Sequence, residues 1–223
     1  MPVIAFADAV PGELASAAAY MMSLIPPGVR IPRGDEMALP ELWADESVPF
    51  TPDSSLLQVG LCWHGSGGGR SEIGRDDDPR CIPVKMLLPF LTVPGVQFTA
   101  LHFTEHSQAL QTLPEGEGVQ GLSDLEVGDF AGTAAVMKKL DLVVTIDTSV
   151  AHLAGTLGVP TWLMLISPRH SMFDRGRWNC TPPLYPSVRQ FRQDTPNDWR
   201  SVVSKVETEL RTRVESPPPL GRT

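Results

Sequence analysis

Apolar residues recur along residues 57–213 in two alternating patterns, short continuous runs and stripes with helical spacing. The short runs are Leu57–Trp63, Val96–His102, Val119–Leu122, Leu142–Ile146, Thr161–Leu165 and Ser187–Gln193. Their length and their β-branched residues are typical of strands that are buried on both faces. The alternation with helical stripes predicts a Rossmann-like parallel sheet with helices on both faces, and Leu142–Ile146 as a central strand.

The helical stripes lie between and after these runs. They predict helices at Val84–Leu91, at Glu105–Leu113, from Asp129 to Leu140, after Thr148 and at Pro196–Arg213. Pro83 suits the first position of its helix, and Pro89 is expected to strain it. The last helix carries its apolar stripe at Val202, Val203, Val206 and Leu210.

One stretch, Asp141–Leu165, reads as strand, tight turn, helix and strand. Thr148 or Ser149 is expected to cap the helix with its hydroxyl, and Gly158 with Pro160 is expected to end it. A helix that begins at the carboxyl end of a parallel strand attracts anions, above all phosphates.

Polar residues gather at that turn, where Asp147 ends the strand and His152 falls in the first helical turn. Two interpretations follow: a plain core βαβ unit without a ligand, or a phosphate site. A histidine in this position is more often structural. The functional interpretation is that His152 reaches a bound phosphate and that Asp147 accepts hydrogen bonds from the turn's own N–H groups or from the ligand.

Residues 64–78 form a long loop after the first predicted strand, with glycines at 65, 67, 68, 69 and 74. It is either a flexible surface loop or a phosphate loop. It is not a Walker A loop, because no G-K-[ST] follows. Glu72 and Asp76–Asp78 would repel a phosphate unless they point away or hold a cation.

Two further segments belong to the same sheet edge. His102 and Glu105 lie at the carboxyl end of the second predicted strand, and are either solvated loop residues or ligands of a ribose or base. The charged loop Ser167–Pro186 is expected to shape a ligand cleft or a domain interface.

Charge and composition disfavour several classes of function and location for this chain. The 223-residue chain has a formal net charge of −8, and residues 1–60 carry eight acids but only two bases. The sequence has no basic patch of the kind that binds nucleic acid or an anionic membrane. No apolar run approaches the ~20 residues that span a bilayer. Three cysteines without metal-ligand spacing indicate reduced thiols and a cytoplasmic protein.

The domain boundaries follow from proline content. Residues 20–56 contain prolines at 26, 27, 32, 40, 49 and 52, which forbids long regular elements. We therefore predict an irregular segment at 1–56 with a helix from Pro11 or Gly12, lying against a domain at 57–215. The Pro-rich tail Ser216–Thr223 is expected to be disordered.

The residues from Asp147 to Trp162, D-T-S-V-A-H-L-A-G-T-L-G-V-P-T-W, resemble the signature of the nucleotide-sugar-binding domain of GT-B glycosyltransferases. The sequence is similar to the ADP-heptose:lipopolysaccharide heptosyltransferase group, and closer to bacterial proteins that join such a domain to tetratricopeptide repeats. The resemblance covers much of Leu57–Arg213 and extends faintly to Tyr20–Asp35.

The resemblance implies the C-terminal half of a GT-B fold that holds a nucleoside-diphosphate sugar. Arg80, in R-x-I-P, would be the cation that faces the diphosphate. The backbone amides of Thr148, Ser149 and Val150 would bind the phosphate oxygens, and Asp147 and His152 would orient these amides. It implies no metal and no cofactor besides the donor. The catalytic base lies in the first domain of the resembled enzymes, and neither Asp8 nor Glu13 has support for that role.

Two functions stay open, and a third is weak. The first is a glycosyltransferase that acts on a glycan, lipid-linked or protein acceptor. The second is a non-catalytic nucleotide-sugar-binding module that works with a partner chain or a missing upstream domain. An NAD-dependent dehydrogenase is disfavoured, because no G-x-G-x-x-G opens the predicted sheet.

Overall fold

The computed structural model describes residues 44, 47–65, 78–102, 110, 113–114, 119–122, 125, 127–167, 178 and 185–215. Within them a sheet of six strands forms, in the order β3-β2-β1-β4-β5-β6, and every neighbouring pair is parallel. The strands are β1 Leu57–Cys62, β2 Val96–Ala100, β3 Gln120–Gly121, β4 Leu142–Ile146, β5 Thr161–Leu165 and β6 Val188–Arg192. The predicted parallel α/β sheet is confirmed, and so is the central position of Leu142–Ile146.

Four described helices accompany the sheet. They are α1 Leu88–Leu91, α2 Phe130–Met137, α3 Ser149–Thr156 and α4 Trp199–Glu215. The single helix predicted at Val84–Leu91 is instead a 3₁₀ turn, Val84–Leu87, followed by the short α1, because Pro89 near the start of α1 donates no backbone hydrogen bond. The predicted helix Glu105–Leu113 lies largely outside the described residues.

Two apolar clusters fill the two faces of the sheet. β4 alternates between them, with Leu142, Val144 and Ile146 in one cluster and Val143 in the other. The first cluster is covered by α1 and α4, and the second by α2 and α3. All five residues of β4 are buried, which explains why four of them are apolar, and the hydroxyl of the fifth, Thr145, donates to the Ile146 carbonyl at 2.9 Å.

Helix α3 ends as the sequence predicts. Gly158 has a φ of +70°, its N–H bonds the Gly155 carbonyl at 3.2 Å, and the Val159 N–H bonds the Ala154 carbonyl at 3.0 Å. This pair of bonds is a Schellman motif, which uses a left-handed residue to satisfy the last carbonyls of a helix.

The described residues before β1 lie against the domain. Phe50 is 3% exposed within the cluster under α2 and α3, and Lys139 donates to the Phe50 carbonyl at 2.9 Å. The predicted helix from Pro11 or Gly12 and the tail Ser216–Thr223 lie outside the described residues. None of the described helices is long and apolar enough to cross a membrane.

Candidate functional site

The strand order places a topological switch point between β1 and β4. From β1 the chain builds outwards to β2 and β3, and then returns to β4 and continues to the other edge. In such sheets a ligand binds in the crevice outside the carboxyl ends of the two strands at the switch point. The described residues that leave these ends are Trp63–Gly65 after β1 and Asp147–Thr148 before α3. The Asp147 turn therefore occupies the edge that the sequence predicts.

The first turn of α3 differs from the prediction in its capping. Thr148 is the N-cap residue, with extended backbone angles (φ −141°, ψ 176°), but its side chain makes no capping hydrogen bond. Its hydroxyl lies 3.7 Å from the Cys62 Sγ and 3.5 Å from the Thr145 Oγ1. Ser149 is already helical and exposed. The prediction that either hydroxyl caps α3 is wrong, because the Thr148 hydroxyl turns inward between β1 and β4.

Burial around this hydroxyl also sets the chemistry of Cys62. The Cys62 side chain is buried, and desolvation raises the pKa of its thiol to about 11. The thiol is therefore a neutral, weakly polar contact for Thr148 and not a nucleophile. Cys62 and Thr148 together form the floor of the switch point.

Arg80 is held by a carboxylate from its own turn. Its Nη2 lies 2.7 Å from the Asp78 Oδ2, and its Nε lies 3.1 Å from both Asp78 carboxylate oxygens. The hydrogen bond with Asp78 raises the pKa of the Arg80 guanidinium. Burial works against ionisation of Asp78, but its bonds with Arg80 outweigh burial and leave the pKa of the carboxyl below its ordinary value.

This pairing modifies two expectations. The Asp78 carboxylate holds a cation, the Arg80 guanidinium, which is one of the two conditions under which it was expected not to repel a phosphate. The other three carboxylates of the loop, Glu72, Asp76 and Asp77, lie outside the described residues. The fork of Arg80 donors is partly engaged, because its Nε–Nη2 edge faces Asp78. A phosphate would have to approach through the Nη1 side.

The Nη1 side of Arg80 faces the α3 turn. Nη1 lies 3.5 Å from the Asp147 carbonyl oxygen, although the two residues are 67 positions apart. The Arg80 side chain is 24% exposed, so solvent and ligands can reach it. Arg80 and Asp147 line a recess at the carboxyl ends of β4, β5 and β6 together with Met164, Leu165, Ile166, Arg192 and Trp199.

His152 lies in the first part of α3, as predicted, but it faces an aromatic pair. Its Nδ1 lies 3.2 Å from the Tyr185 hydroxyl, and its ring stacks on Trp178 with centroids 4.8 Å apart. The residue is 9% exposed. Tyr185 packs over Gly155 so closely that a Cβ there would lie 2.5 Å from its ring. His152 is thus a member of a packed cluster whose Nδ1 is already engaged.

His102 is placed at the carboxyl end of β2, but it is not a solvated loop residue. It is 6% exposed, its Nε2 accepts the Trp63 N–H at 3.3 Å, and its ring meets the Trp63 ring edge-on at 4.3 Å. It therefore ties the ends of β1 and β2 together. Glu105, its predicted companion, lies outside the described residues.

Two recess residues that carry polar side-chain groups, Arg192 and Trp199, were not predicted as site residues from the sequence. Arg192 is the last residue of β6, so the rule that selected Asp147 at the end of β4 also applies to it. Trp199 precedes Val202, Val203 and Val206 by three, four and seven positions, and so belongs to the same apolar stripe. Both signals were present in the sequence.

The described residues contain no group of three or more His, Cys, Asp or Glu side chains that could hold a metal ion. The polar groups that they bring to the edge include guanidinium groups and the amides that open α3, with the Asp78 and Asp147 carboxylates beside them. The guanidinium groups and the amides are suited to an anion with several oxygens.

Comparisons with known proteins give one sequence relative and several structures. No family model matches the sequence. The protein FlbA of Caulobacter vibrioides is 26% identical over 159 residues, which cover 69% of this chain and 25% of FlbA. ADP-heptose LPS heptosyltransferase II of E. coli matches with a TM-score of 0.51 and 17% identity, over 73% of this chain and 48% of that chain. A family 9 glycosyl transferase of Veillonella parvula gives a TM-score of 0.49 with 13% identity, over 74% of this chain and 48% of that one.

The chain therefore spans about a quarter of FlbA and about half of the heptosyltransferase. At this level of identity the likeness concerns the fold. The described domain has a GT-B glycosyltransferase-like fold that resembles the ADP-heptose lipopolysaccharide heptosyltransferase group.

Proposed function

We propose that this chain binds a nucleoside-diphosphate sugar at the switch point between β1 and β4, and that it transfers the glycosyl group to an acceptor hydroxyl without a metal. The observation that carries the proposal is the meeting of Arg80 with the turn before α3, at an Arg80 Nη1 to Asp147 oxygen distance of 3.5 Å. A guanidinium group and a helix N-terminus then face the same crevice.

The proposed chemistry follows from those charges. In the transfer, the bond between the anomeric carbon and the diphosphate oxygen breaks, and the acceptor oxygen forms the new bond while its proton leaves to a base. The departing diphosphate gains negative charge. Arg80 and the amides of Ser149 and Val150 stabilise this charge, so no metal is needed. No described residue is assigned as the base.

His152 has a different role from the one first expected. Since its Nδ1 meets the Tyr185 hydroxyl and its ring stacks on Trp178, its orientation is fixed before any ligand arrives. Its Nε2 is buried, so in the proposal His152 helps to hold the first turn of α3 and does not bond the phosphate. The likeness to a heptosyltransferase named for ADP-heptose supports ADP as the first nucleotide to test.

The second candidate function is nucleotide-sugar binding without transfer, by a module that works with a partner chain. The described residues form one sheet, and the donor-binding features all lie on that sheet. Binding and transfer are therefore separable, and an experiment has to measure each.

Titration calorimetry with ADP, UDP and GDP, with and without EDTA, tests binding. We expect one nucleotide to bind with an affinity that EDTA leaves unchanged. Incubation with radiolabelled nucleotide-sugars then separates the two functions: release of nucleoside diphosphate supports the enzyme, whereas binding without turnover supports the module. The absence of binding by all three nucleotides and their sugars would refute both.

A charge placed at the helix start distinguishes a phosphate site from a plain core turn. Ser149 is exposed at the first helical position, so Ser149→Asp favours the helix dipole and raises the melting temperature or leaves it unchanged. The same charge repels a diphosphate, and we expect a Kd at least tenfold higher than that of Ser149→Asn, the neutral variant of equal shape. Equal affinities of the two variants would remove the α3 terminus from the site.

A further inference from the structure

We propose that Trp199 is a positioning residue, which holds Arg80 in the anion-binding site through a hydrogen bond from its indole. The indole Nε1 donates to the Pro79 carbonyl at 3.2 Å, across 120 positions of sequence. Trp199 is 5% exposed, and it lines the recess together with Arg80 and Asp147. The inference deepens the proposed function, since its effect on binding rests on Arg80 meeting a diphosphate.

The Arg80 turn needs an anchor from outside itself. The bonds between Arg80 and Asp78, and the bond from the Cys81 N–H to the Asp78 carbonyl at 2.9 Å, are local to the turn. They shape the turn but do not fix it to the domain. Pro79 has no N–H, so its carbonyl is the one backbone group through which it can be held by a hydrogen bond.

Two other described contacts reach the turn from the sheet. Ile82, two positions after Arg80, donates its N–H to the Trp63 carbonyl at 2.9 Å. The Arg80 Nη1 lies 3.5 Å from the Asp147 carbonyl oxygen. The second distance is at the limit of a hydrogen bond. The Trp199–Pro79 bond of 3.2 Å is thus shorter than the Arg80–Asp147 distance.

The start of α4 is held by several hydrogen bonds, which makes Trp199 a suitable anchor. The Gln193 Oε1 accepts the N–H groups of Ser167 at 3.3 Å and Asn197 at 3.1 Å. Asn197 has a φ of +65°, and the Asp198 carboxylate accepts the Ser201 N–H at 3.1 Å at the beginning of the helix. These bonds fix α4 to the carboxyl ends of β5 and β6. Through Trp199, α4 therefore contributes to the position of Arg80.

A merely space-filling Trp199 would give a different result. A Trp199 that only fills space in the core needs its ring, whereas a Trp199 that positions Arg80 needs its indole N–H. Trp199→Phe keeps an aromatic ring and removes the donor. Trp162→Phe is the matched control, because Trp162 is 7% exposed in the same apolar cluster and packs on Phe191 at 5.5 Å, outside the recess.

The first experiment needs no nucleotide. Cys81 follows Arg80 and is half-buried, while Cys62 is buried. In a Cys180→Ser background, the rate at which a thiol reagent modifies Cys81, identified by peptide mass, reports how firmly the turn is held. We expect Trp199→Phe to raise this rate about two- to tenfold, the range of one lost hydrogen bond. Trp162→Phe should leave it unchanged. Equal rates in Trp199→Phe and its parent would overturn the proposal.

The second experiment is a double-mutant cycle on ADP affinity. Trp199→Phe should raise the Kd about two- to tenfold when Arg80 is present and less than about twofold in Arg80→Ala, because the indole acts through Arg80. An equal loss in both backgrounds would show a general packing defect and would overturn the positioning role. If the parent chain binds no nucleotide, the proposed function fails, whereas a faster Cys81 reaction in Trp199→Phe still supports Trp199 as the holder of the turn.

Discussion

Replacing Arg80 with alanine should weaken nucleotide binding through two separate effects. The direct effect is the loss of a charge-assisted hydrogen bond to a phosphate oxygen, which is worth about 1.5–3 kcal/mol, or roughly a 10- to 150-fold change in Kd. The indirect effect comes from Asp78, which bonds Arg80 through three contacts of 2.7–3.1 Å. Without Arg80, this carboxylate faces the incoming anion uncompensated.

The size of the indirect effect can be bounded. Two unit charges ~8 Å apart at an effective dielectric constant of ~20 repel by about 2 kcal/mol. The Asp78 side chain is 19% exposed, so screening by solvent lowers this to about 0.5–1 kcal/mol. The double variant Arg80→Ala/Asp78→Ala should therefore bind more tightly than Arg80→Ala, by about two- to fivefold. Arg80→Lys keeps the charge but not the planar fork, and should lie between Arg80→Ala and the parent.

Titration calorimetry at low and high salt measures these affinities, and circular dichroism confirms that each variant is folded. Arg189→Ala is the matched control, because Arg189 is 56% exposed on β6 and pairs with Glu209 outside the recess. It removes the same charge and should leave the Kd unchanged. An Arg80→Ala variant that is folded and binds with the parent's affinity would exclude Arg80 from the site.

Three further predictions concern the scaffold. Gly158→Ala should lower the free energy of unfolding by about 1 kcal/mol, measured in urea, because the φ of +70° is strained for alanine although nothing lies within 4 Å of the added carbon; Gly158→Asn should cost less. Gly155→Ala should cost about 1–3 kcal/mol through overpacking, since its Cβ would lie 2.5 Å from the Tyr185 ring, and Tyr185→Leu should relieve part of that cost. The Cys62 thiol has a pKa of about 11 in the folded state against 9.0 ordinarily, so the free energy of unfolding should fall as pH rises above about 9, and Cys62→Ala should lose this dependence.

The fold could be predicted from the sequence because its signals are local. Leu142–Ile146 and Thr161–Leu165 have the predicted bounds, since each is a buried parallel strand whose five residues are all apolar or small enough to be buried. Gly158 ends α3 because it alone accepts the left-handed backbone without cost. In Val84–Leu91 two local signals competed, and Pro89 divided a segment whose apolar spacing favours one helix.

The contacts of the site could not be predicted, because each depends on a partner that is distant in sequence. The Thr148 hydroxyl was expected to cap α3, but its neighbour Cys62 is 86 positions away. His152 was placed correctly in the first turn, yet the hydroxyl that it meets belongs to Tyr185, 33 positions later. A pattern gives the face of an element on which a side chain lies, and it does not give the group that covers that face.

The pairing of Arg80 with Asp78 has a consequence for the proposed transfer. A lone arginine on a loop would lose side-chain entropy when it meets a phosphate, whereas Asp78 and the Pro79–Trp199 bond fix the Arg80 turn beforehand. The same carboxylate offsets part of the positive charge, so a bound donor is held less tightly than by a free guanidinium. The diphosphate gains charge as the glycosidic bond breaks, so a cation stabilises this later state more than the bound donor, and Asp78 weakens both effects by offsetting part of the Arg80 charge. On this reasoning Asp78→Asn should tighten binding of the sugar nucleotide and, where bond breaking limits the rate, speed its turnover, whereas a purely structural Asp78 would change neither without unfolding the turn. Steady-state kinetics of Asp78→Asn with the nucleotide-sugar that binds, alongside its Kd, measure both quantities, and weaker binding with slower turnover in a folded variant would contradict the argument.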